Sequence, residues 1–426
     1  MRAFVFPRTA LHPASTPRTY PACMKLLIIT YGTEGDTRPL AALGHALMQA
    51  GHEVELLGDG STLGIAQTLG VPSRALAGDI RATIAADGAM RDITRNLANL
   101  TIAHSSDWLH QAIDAGHGCD AIIVSGLAAF VGLSAAEALG VPAIGAMLIP
   151  ISPTSAFASP FLPLTPPRLF NHASHTLFGR LSWRLFRKAT NRARAQAGLP
   201  PRRSLWTDHP MLYGVSPALV PRPGDWPDNA HVCGQWVPPL AATFAPSEAL
   251  LAFLDAGEPP VYVGFGSMAG FDNARLADAV IGAVGQRRAL FNAGWSGIDA
   301  ARLPLNFHAV GHVPHDWLLP RCTMAIHHGG SGTTHSACRA GIPSVIVPFA
   351  GDQSFWNARL RDAGVMAHAL KGASITPARL REAIAFADSG DARRHAAELG
   401  RPMRQEDGCA AAVGWVERYV SALRRH

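Results

Sequence analysis

Short apolar runs alternate along this chain with longer segments in which apolar residues recur at helical spacing. In the first half the runs occupy Lys25–Thr30, Val54–Leu57, Ala121–Ser125 and Ala143–Leu148, and Phe130–Leu139 is the clearest helical pattern. A short buried strand followed by an amphipathic helix is the βα unit of a parallel sheet. The pattern therefore predicts an α/β chain whose first half is a doubly wound parallel sheet.

The same alternation resumes in the second half, after a proline-rich stretch at Val232–Pro246. The predicted strands are Pro260–Met268, Arg288–Trp295, Thr323–Ile326 and Ser344–Pro348, and the predicted helices are 248–256 with Ser247 as its cap, Phe355–Gly364, Thr376–Ala387 and Ala411–Arg424. We infer a second Rossmann-like domain behind a linker. The predicted units are an extension at 1–23, an N-terminal domain at 24–235, a C-terminal domain at 236–405 and a terminal helix at 406–426.

Three stretches lack a regular pattern. Residues 1–23 are rich in Pro, Thr and Ala, and we expect either a disordered extension or a mis-assigned start codon there, rather than a targeting peptide. Gly78–Gly118 and Ile149–Tyr213 look irregular and hold many of the aromatic side chains. Long insertions of this kind commonly line a binding pocket, although the same aromatic residues would also serve to pack the insertions onto the sheet.

Composition and charge narrow the function classes. The chain has 426 residues, 48% of them hydrophobic, a net charge of +6 and a pI near 9.2, but its basic residues are dispersed and no nucleic-acid motif occurs. The exception is Arg180–Arg203, with eight basic residues and no acidic one. Such a segment is either a charged solvated face or a basic amphipathic helix resting on an anionic membrane.

Cysteine usage and hydropathy bear on the compartment. Six cysteines are spread along the chain without a CxxC pair, which favours a reducing compartment such as the cytoplasm. No apolar run reaches the roughly 18 to 20 residues that span a bilayer. We therefore expect a cytoplasmic protein. If the basic segment Arg180–Arg203 rests on a membrane, the protein would also make peripheral contact with the inner membrane face.

The most informative stretch is Thr323–Gln353. A buried strand ends there in His-His-Gly-Gly-Ser-Gly-Thr-Thr, which opens a helix that Gly341 is expected to terminate. Free backbone N–H groups at a helix N-terminus attract anions, and glycines let a phosphate approach the main chain. Taken alone, the loop predicts either a phosphate site or merely a tight strand-to-helix turn.

With Asp352 and Gln353 after the next strand, this stretch resembles the nucleotide-sugar signature of family 1 glycosyltransferases, in the bacterial natural-product and sterol glucosyltransferase branch. The resemblance implies a GT-B fold, in which two Rossmann-like domains face each other across a cleft and the terminal helix packs back on the N-terminal domain. It also implies roles for individual residues. These are donor diphosphate binding by Ser267, His328, Gly330, Ser331, Gly332 and Thr333, nucleotide-base binding by His312 and Val313, and donor-sugar binding by Asp352 and Gln353.

The first strand ends in a second turn of interest, Gly32–Pro39. Its Gly-x-x-Gly spacing lacks the GxGxxG of dinucleotide binders, which disfavours a dehydrogenase. The turn resembles the first loop of vancomycin-type and sterol glycosyltransferases, with Asp36 at the position of the general base and Glu34 where that pattern has Arg. The alternative is that Asp36 only caps a helix beginning at Arg38–Pro39.

The resemblance thus implies an inverting transfer of a hexose, with glucose as the default, from a UDP-sugar or dTDP-sugar to a hydrophobic acceptor such as a sterol, carotenoid, polyketide or hydroxy-lipid. No Asp-x-Asp motif and no zinc-type spacing occur in the sequence, so we expect neither a metal nor a cofactor. Two alternatives remain at this point. One is a non-hydrolysing sugar-nucleotide epimerase, and the other is a non-catalytic partner of a second glycosyltransferase.

Overall fold

The computed structural model describes most of the chain. The described residues are 23–85, 90–162, 166–240, 244–266, 273–292, 302–366, 370 and 375–425. Ser267 and residues 1–22 of the predicted extension lie outside them.

Among the described residues, twelve strands form two separate sheets, in which all strands run parallel. The strands are β1 Lys25–Ile29, β2 Glu53–Asp59, β3 Ser73–Leu76, β4 Ala121–Val124, β5 Ala143–Met147, β6 Met211–Tyr213, β7 Ala230–Val232, β8 Val261–Gly264, β9 Ala289–Asn292, β10 Phe307–Val310, β11 Met324–His327 and β12 Ser344–Ile346. The first sheet has the order β3-β2-β1-β4-β5-β6-β7 and the second β10-β9-β8-β11-β12.

Helices cover both faces of the two sheets. They are α1 Glu34–Gln49, α2 Gly64–Thr68, α3 Ile80–Ala85, α4 Met90–Ala115, α5 Ala129–Leu139, α6 Asn171–Gln196, α7 Glu248–Asp255, α8 Asn273–Val284, α9 His315–Leu318, α10 Ser331–Ala340, α11 Gln353–Asp362, α12 Pro377–Ala387, α13 Gly390–Met403 and α14 Gly408–Arg424. In each sheet the first strand lies in the middle, and the chain winds outward first to one side and then to the other. This confirms the prediction of two doubly wound parallel-sheet domains.

Local sequence signals fixed the helix ends as predicted. Gly140 and Gly341 follow α5 and α10 in the left-handed conformation, with φ of 67° and 77°. Only glycine adopts this conformation without a steric penalty, which is why both helices end there. Ser247 caps α7, because its hydroxyl oxygen accepts a hydrogen bond from the Leu250 N–H at 3.2 Å.

The expectation that Gly78–Gly118 and Ile149–Tyr213 are irregular was wrong. Each holds a helix of 26 residues, α4 and α6, and the two helices pack against each other. In α6 the buried positions include small or aromatic residues such as Trp183 and Ala189, while arginines cover the outer side. The apolar stripe was therefore too sparse to stand out, and burial against α4 decided the structure. The short strands β3, β6 and β7 and helix α13 also went unpredicted.

The last helix packs on the first domain. Val413, Val416 and Val420 of α14 share one apolar core with Leu40 and Leu43 of α1. His52 Nε2 also lies 3.2 Å from Glu417 Oε1 of the same helix. The C-terminal segment thus ties the two halves together.

No helix among the described residues is long and apolar enough to cross a membrane.

Candidate active site

The glycine-rich loop has the geometry of an anion site. Strand β11 ends at His327, Gly329 takes a φ of 91°, and Gly330 is the N-cap of α10. The backbone N–H groups of Ser331, Gly332 and Thr333 therefore belong to the first turn, where no helical carbonyl is available to accept their hydrogen bonds. N–H groups at the positive end of a helix dipole can bind an anion, which is the role predicted for these residues.

His328 lies beside these N–H groups. Its ring occupies the space that two glycines leave open, because a Cβ added to Gly266 or Gly330 would come within 2.9 or 2.5 Å of ring atoms. Burial lowers its pKa to about 4, so the ring is neutral at physiological pH. His328 Nδ1 has no hydrogen-bond partner among the described residues. By contrast, His327 is fully buried in β11, and its Nδ1 accepts a hydrogen bond from the Gly329 N–H at 3.1 Å.

Ser331 differs from its predicted role in one respect. Its hydroxyl donates a hydrogen bond to the Leu148 carbonyl oxygen, at 2.9 Å, across the cleft between the two domains. In this conformation the side chain therefore links the domains, and the backbone N–H of Ser331 is left to serve the predicted anion site. Ser267 lies outside the described residues, so its role in diphosphate binding stays a prediction.

Asp352 and Gln353 follow β12 at the start of α11. Asp352 Oδ2 accepts a hydrogen bond from Trp356 Nε1, one turn later, at 2.5 Å. Burial raises the pKa of Asp352 to about 6, and the negative charge of Asp36 adds to this effect. Gln353 Oε1 accepts hydrogen bonds from the N–H groups of Phe349 and Ala350, at 2.6 and 3.1 Å, so this oxygen shapes the loop that precedes the helix.

The predicted base-binding residues lie at the end of β10. His312 is exposed, and its Nε2 accepts a hydrogen bond from the Arg38 guanidinium of the N-terminal domain at 2.7 Å. Val313 is partly buried beside the apolar cluster under this edge of the sheet. His315 Nε2 lies 3.1 Å from the Tyr262 hydroxyl, and burial lowers the pKa of His315 to about 4.

Asp36 lies on the opposite side of the cleft, in the first turn of α1. The helix begins at Glu34 and contains Pro39, so the alternative of a helix beginning at Arg38–Pro39 was wrong. Thr33 precedes the helix, and both its N–H and its hydroxyl donate to Asp36 Oδ2, at 2.8 and 3.2 Å. The pairing of Thr33 with Asp36 lets the helix begin at Glu34, four residues before the start that Pro39 had suggested.

The surroundings of Asp36 shift its pKa. Burial raises the pKa of its carboxyl group above the ordinary value, although the two Thr33 donors oppose the shift. The carboxylate folds back against Gly32, where a Cβ would overlap it. The charge of Asp36 in turn raises the pKa of Asp352. The two carboxylates, one from each domain, therefore lie near enough for the charge of one to affect the other.

Three contacts of the candidate site residues were not predicted from the sequence. They are the hydrogen bonds from Arg38 to His312, from Ser331 to the Leu148 carbonyl oxygen and from the Trp356 indole N–H to Asp352. The spacing of Trp356 four residues after Asp352 was a usable signal, since such residues lie on one face of a helix. The other two contacts join residues far apart in the chain, and no local pattern points to them.

The aromatic insertion contributes to both packing and the cleft. Trp108 is fully buried and stacks on Tyr31 with ring centroids 4.3 Å apart, so it belongs to the core. Phe157 instead contacts Phe355 of the C-terminal domain, with centroids 5.2 Å apart. The second insertion therefore reaches the domain interface, as expected for a segment that lines the cleft.

Known proteins resemble this chain over most of its length. Residues 291–413 match the family model "Erythromycin biosynthesis protein CIII-like, C-terminal domain". The chain is 32% identical to the O-mycaminosyltylonolide 6-deoxyallosyltransferase of Streptomyces fradiae over 94% of this chain and 99% of that protein. It is 30% identical to the sterol 3-beta-glucosyltransferase UGT80B1 of Arabidopsis thaliana over 93% of this chain and 68% of that protein. It spans 33% of the length of the sterol 3-beta-glucosyltransferase of Eremothecium gossypii, to which it is 32% identical.

Solved structures share the fold. The glycotransferase of kitacinnamycin superposes with a TM-score of 0.69 at 19% identity, over 93% of this chain and 99% of that one. The glycosyltransferase VinC in complex with dTDP gives a TM-score of 0.65 at 20% identity, over 94% and 100%. Because two relatives at 30% identity or more, matched over at least two thirds of their length, are glycosyltransferases and the solved structures share the fold, the chain belongs to the family 1 glycosyltransferases and is a glycosyltransferase of GT-B fold.

Proposed function

We propose that this enzyme transfers a hexose, with glucose as the default, from a UDP-sugar or dTDP-sugar to a hydroxyl group of a hydrophobic acceptor of the sterol or polyketide class. The observation that carries the proposal is the placement of Asp36 and the α10 N-terminus on facing domains. The names of the relatives support the acceptor class, since they include sterol and macrolide glycosyltransferases. The complex of VinC with dTDP supports a nucleoside diphosphate donor.

In the proposed reaction the α10 loop holds the leaving group. Bond breaking between the anomeric carbon and the diphosphate leaves negative charge on the phosphate oxygens. The N–H groups of Ser331, Gly332 and Thr333 stabilise this charge through hydrogen bond donors that are in place before the reaction, and the neutral His328 ring adds at most one more because it carries a single N–H. We propose that no metal ion is required, because these donors and the helix dipole supply the stabilisation.

The acceptor approaches from the N-terminal domain. Its hydroxyl proton passes to Asp36 as the hydroxyl oxygen bonds to the anomeric carbon, and the diphosphate leaves from the opposite face, which inverts the configuration. A pKa raised by burial suits this role, because a base is most effective when its pKa approaches the working pH. Asp352 and Gln353 hold hydroxyl groups of the sugar on the donor side.

The substitution Asp36→Asn tests the proposal. Asn retains a side-chain oxygen that accepts the Thr33 N–H bond, so the fold should persist, while turnover should fall by about 10²- to 10⁴-fold. The donor-induced thermal shift should remain. Asp79→Asn is the matched control, because Asp79 also caps a helix of the N-terminal domain, accepting from the Ala82 N–H at 2.8 Å. An Asp36→Asn enzyme with more than a tenth of wild-type turnover would exclude Asp36 as the base.

Product analysis separates this function from the two alternatives. Incubation with UDP-glucose and a panel of hydrophobic alcohols should release UDP only when an acceptor is present, and should yield the β-glycoside. A new UDP-sugar isomer without any acceptor would instead indicate an epimerase. Binding of the donor without either product would indicate a non-catalytic partner.

The proposal includes a cytoplasmic setting. All six cysteines are free thiols in the structure. A protein of a reducing compartment has this property.

A further inference from the structure

One face of α6 exposes an unusual amount of apolar surface. Leu177, Leu181 and Leu185 are 52, 54 and 52% exposed, and their spacing of four residues places them in one row. The turn before the helix adds Leu169 and Phe170, which are 80 and 50% exposed. Among the described residues, five of the nine large hydrophobic side chains with high exposure lie here. Exposed apolar surface concentrated in this way marks an interaction site.

A row of cations runs beside the leucines. Arg180, Arg184 and Arg187 are exposed on the adjacent side of the helix, and Lys188 and Arg192 continue the positive surface into its last turns. We call the three leucines and the three arginines the α6 outer face. No acidic residue occurs anywhere from residue 171 to residue 196. The outer face is therefore both apolar and strongly cationic.

These cations differ from the basic residues on the inner side. Arg194 and Arg202 pair with Glu137, at 2.7 and 2.6 Å. Within the described part of the chain, no such ion pair forms with any arginine of the outer face. The chain thus neutralises the basic residues that it buries and leaves the outward ones available for an external anion.

The inner side holds the helix in this orientation. Trp183 is buried against Phe130 and Trp206, and its Nε1 donates to the Arg203 carbonyl oxygen at 3.1 Å. Ala189 and Ala193 are buried on the same side. Because this side is fixed by packing, α6 cannot rotate to hide its leucines, and the outer face remains exposed.

We propose that the α6 outer face docks on the surface of an anionic lipid bilayer. The leucines would enter the interface between headgroups and acyl chains, and the arginines would contact lipid phosphates, which is the arrangement of interfacial amphipathic helices. A second copy of this chain fits less well, because it would bring the same positive charge to the contact. The charge of the outer face thus selects a negatively charged surface.

The contact would also place the cleft near the membrane. At the N-terminal end of α6, the His175 ring lies within hydrogen-bond distance of the Ile151 and Phe157 carbonyl oxygens, at 3.2 and 3.1 Å. Phe157 in turn contacts Phe355 across the cleft. The bound helix would therefore lie beside the acceptor side of the site, a consequence that rests on the proposed function, whereas lipid binding itself does not.

Vesicle flotation tests the proposal directly. Purified full-length protein is mixed with vesicles of phosphatidylcholine alone or with 30% phosphatidylglycerol, at low and high salt. We expect binding to the anionic vesicles only, weakening with salt because the charges are screened. Each basic residue near an anionic surface contributes about fivefold to partitioning, so Arg180→Gln, Arg184→Gln and Arg187→Gln together should weaken binding on the order of 100-fold.

A second variant tests the apolar row, and two variants serve as controls. Leu177→Gln, Leu181→Gln and Leu185→Gln together should also abolish flotation. The matched controls change exposed residues elsewhere: Leu251→Gln with Leu423→Gln, and Arg379→Gln with Arg381→Gln and Arg401→Gln. Both controls should float like the wild type. All variants should keep wild-type melting temperature and turnover of a water-soluble acceptor, which separates loss of lipid binding from loss of fold or of the proposed activity.

Three results would overturn the proposal. The first is wild-type protein that fails to float with anionic vesicles, and the second is an arginine variant that floats as well as the wild type. The third is a wild-type dimer in sedimentation that the leucine variant converts to monomer without any lipid binding, because the outer face would then be covered by a second copy.

Discussion

We predict that ionisation of Asp352 destabilises the enzyme when no donor is bound. Burial raises the pKa of this carboxyl group to about 6, with a further contribution from Asp36, whereas an unfolded aspartate titrates near 3.9. Between these values the folded protein keeps a proton that the unfolded chain has released. Stability conferred by this group is therefore highest at low pH and falls as the pH rises through about 4 to 6.

The size of the effect follows from the shift. A difference of about two pH units corresponds to roughly 3 kcal/mol, and partial solvent access reduces this to about 1–3 kcal/mol. Asp352→Asn removes the ionisation and keeps an oxygen that accepts the Trp356 N–H bond. The variant should therefore be more stable than the wild type by this amount above pH 7, and equally stable near pH 4.

Thermal unfolding at pH 4.5, 6 and 8 without donor measures this difference. At pH 8 the variant should melt about 2–4 °C higher for each kcal/mol if the C-terminal domain unfolds as a unit of ordinary size. Asp391→Asn is the control, because Asp391 forms only an exposed ion pair with Arg394 at 2.9 Å. A gap between Asp352→Asn and wild type that stays the same at all three pH values would refute the raised pKa.

Three further changes test other parts of the structure. A Cβ added at Gly332 meets no atom within 4 Å, so the Gly332→Ala variant should fold normally. It should lose most of the donor-induced thermal shift, because the added methyl group would clash only with a bound diphosphate. An unchanged shift would mean that the donor binds elsewhere. Ser331→Ala leaves the Leu148 carbonyl without its partner and should lower stability by about 1 kcal/mol in denaturant titration, and no loss would mean that the domains do not use this contact. Val416→Ala should lower the free energy of unfolding by about 2 kcal/mol in the same assay and should speed hydrogen exchange of the α1 backbone amides. Unaltered protection of these amides would argue against the packing of α14 on α1.

Sequence alone identified the parts of the fold that are determined by residues close to one another in the chain. The apolar run of β11, the glycines after it and Gly341 specify a strand, a turn and a helix end within one short segment. Burial on both faces makes central parallel strands almost continuously apolar, which is why β1, β4 and β11 were recognised. The positions of His328, Asp352 and Asp36 at strand ends followed from the same local pattern. The roles given to them, to Ser267 and to His312 remain predictions.

Tertiary structure decided what local patterns leave undetermined. Helices α4 and α6 bury mainly small and aromatic residues against each other, so their pattern reads as irregular until the partner helix is present. The bond between Arg38 and His312 depends on how two separately folded sheets face each other. The shifted pKa of Asp352 likewise arises from burial and from a charge on the other domain. Periodicity reports which side of an element is covered, but only the packed molecule determines what covers it and which charges then meet.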